Sequence, residues 1–151
     1  MDTMPNSFWF RLLVRVLKHR IIRPECPEGQ TAHPLMTRFF TPIRWKYLAV
    51  FIHYFHRSDL DEFHDHPWAF FAFLFHSGYW EHTPTGRHWR RRFSVLYRPA
   101  TWKHYVEIPN PMWTVVIRFR QIREWGFWIH GVWHHWRSIE LIRSSDICED
   151  I

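Results

Sequence analysis

The chain has 151 residues, 46% of them apolar and 20% aromatic, with 11 Trp and 14 Phe. That suits one compact domain with its own core and excludes a disordered chain, which lacks such groups. The formal charge of +6 leaves two readings, a basic soluble surface or an anionic partner such as nucleic acid, a phosphorylated metabolite or a membrane surface.

Residues 6–20 read as a helix. Phe8, Leu12, Leu13, Val16 and Leu17 recur at helical spacing, and Arg11, Arg15 and Lys18 fill the other side. Asn6 or Ser7 caps it, and Pro24 stops it. Packing of its apolar face on the rest of the fold is the preferred role; a basic amphipathic anchor for a membrane or partner is the rival. Residues 24–34, with three prolines and Gly29, form a loop. From Leu35 onward, short aromatic and β-branched runs alternate with turn residues. Strands are expected at 36–41, 46–56, 68–82, 88–97, 103–108, 112–120 and 125–129. Breaks fall at 57–62, 84–86, 99–101 and 109–111, and 130–142 reads as a short helix or a loose tail. Regular turns without βα alternation make the chain all-β, a sandwich or barrel. Three segments follow: an N-terminal helix and loop at 1–34, a barrel at 35–129, and an aromatic, His-rich tail at 130–151.

The arginines are scattered, which favours the plain basic surface; alternation in a strand sends Arg90, Arg91 and Arg92 to both faces. Two cysteines, Cys26 and Cys148, make neither a disulfide framework nor a thiolate metal site. Free thiols, no apolar run near the ~20 residues of a bilayer span, and no signal-peptide order at the N-terminus give a cytoplasmic expectation with no transmembrane segment.

Thirteen histidines make a single His-x-His pair uninformative by itself. Its context carries more. In Phe63-His64-Asp65-His66-Pro67-Trp68, strand geometry aims the imidazoles of His64 and His66 into one space, which suits a first-row metal. His104, which follows Pro99 and opens a short strand, is the candidate third ligand. His53 shares a face with Phe51 and Phe55 and is read as a hydrogen-bonded core histidine, with an additional ligand or pocket residue as the alternative. Asp65 points away from the pair and is read as structural. His130 and His134 are spaced to share a helix face, but no Glu lies between them to serve as a base, so a packed aromatic tail is preferred.

These residues resemble the cupin superfamily. His64-x-His66, four residues, Phe71, six residues and Gly78 is similar to the first cupin motif, and Pro99-x-Thr101-x-x-His104 to the second. More closely, His64-Asp65-His66-Pro67-Trp68, Gly78-Tyr79, Arg98-Pro99-Ala100, His104 and Trp125-Gly126-Phe127 resemble small cupin-like proteins of bacteria and phages. The resemblance implies a single-domain jelly-roll barrel with an N-terminal amphipathic helix. It also implies one divalent transition-metal ion (Fe, Zn, Mn or Ni) on His64, His66 and His104. The chain departs from the pattern where Phe71 replaces the motif's Glu ligand, Phe93 and Thr101 replace its glycines, and Ile108 its Asn. Without the carboxylate, the site resembles that of three-His cupins, among them iron dioxygenases. Asp61, Glu62 or Asp65 are the carboxylates near enough in sequence to substitute.

Four functions follow. The first is a metalloenzyme acting on a small molecule, such as a metal-dependent oxygenase or isomerase. The second is a module that binds a small ligand without turnover. The third is a structural or phage accessory protein that forms a homodimer through aromatic strands. Nucleic-acid binding is the weakest. The first is favoured by a small margin.

Overall fold

A computed structural model describes residues 7–23, 30–59, 62–138 and 148–150, with 30–31 and 148–150 described by backbone alone. Asn6, Pro24, Cys26, Asp61 and the Cys148 side chain lie outside the described residues.

The chain opens with helix α1 (Phe8–Val16). It ends earlier than its periodicity predicts, because Leu17 is already extended and its N–H closes the last turn on Leu13. The buried stripe also differs from the expected one. Phe10 is buried, with Leu13, Val14 and Leu17 packed beside it, against Phe39, Tyr54 and Trp113. Phe8 and Val16 are left exposed. Aromatic partners on the sheet decide the helix's rotation, and helical spacing alone cannot reveal them.

Among the described residues fourteen strands follow: β1 (His19–Ile22), β2 (Gln30–Ala32), β3 (Met36–Arg44), β4 (Leu48–Phe55), β5 (Phe63–His64), β6 (Phe70–Leu74), β7 (Tyr79–Thr83), β8 (Gly86–Arg90), β9 (Val95–Arg98), β10 (Tyr105–Glu107), β11 (Met112–Phe119), β12 (Gly126–Ile129), β13 (Val132–His135) and β14 (Cys148–Asp150). A six-stranded sheet runs β1-β3-β4-β11-β6-β9. Two three-stranded sheets, β10-β7-β8 and β13-β12-β5, meet through an antiparallel bridge between His64 and His104. They face the inner side of the six-stranded sheet, where Leu74 and Met112 pack on Tyr79, Val106 and Ile108. Helix α1 covers part of the outer side. Among the described residues, no helix is long and apolar enough to cross a membrane.

Several elements differ from their sequence expectation. Residues 19–22, of which 19–20 are expected to end the helix, pair along β3 as part of the main sheet. The single strand expected at 68–82 is two, β6 and β7, on different sheets. Gly78 introduces β7 where an added Cβ would meet the Arg90 carbonyl oxygen at 2.3 Å. The strand expected at 88–97 also divides, at a turn where Phe93 has φ 64°. That is one of the positions where the motif carries glycine, so the left-handed turn persists with a side chain unsuited to it. The Phe93 ring is 60% exposed and packs little. Phe93→Gly is therefore expected to raise the unfolding free energy by about 1 kcal/mol in urea titration. No change, or a loss, would mean that the Arg92–Phe93 stacking outweighs the backbone strain.

Where a short helix or loose tail is expected at 130–142, residues 130–135 complete a hairpin, and 139–142 lie outside the described residues. Ile129 pairs with Val132, and His130 (φ 49°) and Gly131 (φ 80°) make a two-residue turn of the type that matches strand twist. His130 and His134 therefore share no helix face. Buried Asp65 anchors the hairpin: it accepts hydrogen bonds from Gly126 N (2.9 Å), Trp133 Nε1 (3.0 Å) and Arg123 Nη1 (2.9 Å). Its structural reading is thus correct.

Candidate metal centre

The antiparallel bridge that joins the two smaller sheets also builds the site. His64 N donates to His104 O at 3.0 Å and His104 N to His64 O at 3.1 Å, so the two backbones are locked side by side. His66 N donates to Ala100 O at 3.1 Å, which ties the second imidazole to the segment before His104. The three rings form a near-equilateral triangle, each pair of centroids 5.1 Å apart. One nitrogen from each lies within 4.8 Å of the others, and His66 Nε2 and His104 Nε2 are 2.9 Å apart.

His104 is buried, and its Nδ1 sits 2.9 Å from Glu81 Oε1. Glu81 projects inward from β7, is fully buried, and accepts from Arg98 Nε (2.8 Å), Arg90 Nε (2.7 Å) and Trp102 Nε1 (3.0 Å). Burial would raise its carboxyl pKa, but the hydrogen bonds from His104 and Arg98 outweigh it and hold it well below the usual carboxylate range. Glu81 is therefore a carboxylate and only accepts. That places the His104 proton on Nδ1 and leaves the Nε2 lone pair facing His66. Burial lowers the His64 pKa to about 4, against the nearby Asp59 charge, and lowers that of His66 further with help from His104 and His64. Both are neutral imidazoles at neutral pH, the form that ligates metals.

The triad opens into a cavity of about 140 Å³ whose walls include Phe51, Phe55, Phe70 and Trp68. His53 lines it too, but it accepts a hydrogen bond from Arg38 Nε at 3.0 Å and lies outside the group formed by His64, His66 and His104. Glu62 and Asp65 do not join that group either. Phe71, read as the occupant of the motif's Glu position, faces outward against Tyr97 and Phe119. The cavity-facing residue at that point is Phe70, so a single-residue strand offset separates the motif alignment from the side-chain geometry.

Sequence reasoning missed Glu81 and Arg38. Glu81 was detectable: it shares strand parity with Tyr79 and Thr83, and a charged residue at a buried position needs partners. Arg38 faces the cavity through the pairing of β3 with β4, which no local pattern reveals.

No family model matches the sequence, and no curated protein does. Among solved structures the chain is similar to the polyketide cyclase RemF from Streptomyces resistomycificus, with 11% identity, 71% of this chain and 80% of that one covered, and a TM-score of 0.51. It is similar to Streptomyces PAC13 with uridine, at 9% identity over 73% and 88% of the two chains, with a TM-score of 0.52. A cupin domain from Bordetella pertussis shows 20% identity over 55% and 93%, with a TM-score of 0.44. The chain folds as a jelly-roll barrel of two facing sheets, a fold similar to that of these structures. At these identities the likeness concerns the fold alone.

Proposed function

We propose that the protein is a metal-binding cupin in which His64, His66 and His104 hold one divalent transition-metal ion, and that it acts as a metalloenzyme on a small molecule. The observation that carries this reading is the convergence of three imidazoles with the Glu81 carboxylate behind one of them. Such a carboxylate fixes the ring's tautomer and orientation and raises its basicity as a ligand. The donor set fits a metal. Two imidazole nitrogens bound at about 2.1 Å and at a right angle lie about 3.0 Å apart, close to the 2.9 Å between His66 and His104. In the absence of metal, a proton on His66 Nε2 donates to the His104 Nε2 lone pair at that distance, and a metal ion would replace that proton.

Three neutral ligands leave the ion its full charge and suit Fe, Zn, Mn or Ni. When bound, the metal supplies Lewis acidity and a more acidic water. The protein supplies an apolar wall that excludes bulk water and shapes the ligand. The similar structures include a polyketide cyclase and a protein with bound uridine, which accords with a small organic ligand in the barrel.

Metal content of protein purified anaerobically tests the reading. About one equivalent of a transition metal is expected by mass spectrometry, and chelation should lower the unfolding temperature, since the ion binds only the folded chain. Less than a tenth of an equivalent after reconstitution overturns the proposal.

A further inference from the structure

One row of side chains crosses the floor of the barrel opposite the histidine triad. Arg38 of β3 pairs with His53 of β4, and His53 pairs with Thr114 of β11. Directly opposed residues share a face, and all three line the cavity. Arg38 spends one donor on His53 and lies 5.1 Å above the Phe51 ring. A guanidinium has five donors, and among the described residues no carboxylate forms an ion pair with it. The charges that bear on it, Arg20 and Arg118, have its own sign. Burial and these neighbours lower its pKa only to about 10, so it stays charged at neutral pH. Across His53 from it, Thr114 is 2% exposed and its hydroxyl has no hydrogen-bond partner.

A half-buried cation without a counter-charge and an orphaned buried hydroxyl are each costly. Both line the same cavity, one on either side of His53, and a carboxylate lying over His53 is the ligand group that meets each. We infer that Arg38 and Thr114 form an anion subsite that takes the carboxylate of a small apolar monoacid, whose body lies among Phe51, Phe55 and Phe70. A single cation without an acidic partner balances one negative charge, and a guanidinium fork matches a carboxylate's two oxygens. His53 is a positioning residue, since the bond from Arg38 Nε fixes how the rest of the fork is presented. An engineered apolar cavity of about 150 Å³ holds benzene; this one, of about 140 Å³, suits a body near one six-membered ring. Arg38 and His53 also contribute to lowering the His66 pKa, so they are electrostatically close to the triad. The inference rests on reading this cavity as the ligand site; it does not require the metal.

The probe is benzoate, with benzyl alcohol as its uncharged counterpart. Tryptophan-fluorescence or calorimetric titrations are run on the full chain as purified and after chelation, with metal content measured in the same samples. Benzoate is expected to bind both forms at least about tenfold more tightly than benzyl alcohol, a ratio set by the charged hydrogen bonds. Arg38→Met should remove that preference, Arg38→Lys should keep part of it, and Thr114→Val should weaken benzoate a few-fold. Circular dichroism shows whether each variant folds. Binding of benzoate that survives in folded Arg38→Met overturns the inference, as does the absence of saturable binding. Binding that disappears on chelation but ignores Arg38 places the carboxylate on the metal; it overturns the subsite and leaves the metal reading intact. A sample without metal that still binds benzoate through Arg38 separates the two in the other direction.

Discussion

Replacing Glu81 by Gln is expected to lower the unfolding free energy by about 3–5 kcal/mol, the cost of breaking a buried ion pair from one side. Glu81 is the only counter-charge that the described residues give to Arg98, and it also holds Arg90. The Gln variant keeps the shape, but its amide group turns donors toward Arg98 donors and leaves one neutral oxygen where a carboxylate had two. His104 then loses the acceptor that holds its Nδ1 proton, so metal affinity should fall about 10–100-fold, the usual effect of losing such an outer partner. The pH dependence follows from the depressed folded-state pKa. Glutamate in the unfolded chain titrates near about 4.3, and in the fold it titrates well below the usual range. The stabilisation is complete above the unfolded value and is lost as pH falls toward the folded one. Urea titrations should therefore show the full gap between wild type and variant at pH 7 and a smaller one at pH 3. Equal stability and equal metal content at pH 7 would show that Glu81 anchors neither the arginines nor His104.

The parts of this protein that were legible in its sequence are those set by short-range pattern. His64 and His66 share a face because strand parity is strict, and Asp65 between them must then face the other way, toward the Trp133 indole and Arg123. His104 and Gly78 were recognisable through motif spacing. What escaped was set by register between distant strands. Arg38 enters the cavity only because β3 pairs with β4 in one register, and Glu81 reaches His104 only because β7 pairs with β10. The same limit explains Phe71, whose motif position and side-chain direction disagree by one residue. In the hairpin at 126–135 the first strand agrees with the one expected at 125–129, and the second differs for another reason. His-Gly is a weak turn signal, and the aromatic run around it fits a helix as well as it fits two short strands.

His66→Ala separates the metal from the fold. Its ring is partly exposed to the cavity and packs edge-on against Phe70, with centroids 4.8 Å apart. Among the described residues no carboxylate lies behind it, so none of them is left as a stranded buried charge when the ring is removed. The variant should retain the wild-type circular dichroism spectrum. It should bind metal more than about 100-fold more weakly, beyond the loss expected for an outer partner. His104→Ala should behave differently. It removes a proposed ligand and also leaves Glu81 without one of its hydrogen-bond donors, so stability and metal should be lost together. In metal-free protein the two alanine variants should thus diverge in urea midpoint while both fail to load metal. His66→Ala purified with the wild-type metal content would place the ion elsewhere and remove the basis for a three-imidazole centre. If both variants lost metal and had the same apo stability, the centre would stand, and the hydrogen bond from His104 to Glu81 would orient the ring without contributing measurably to the fold.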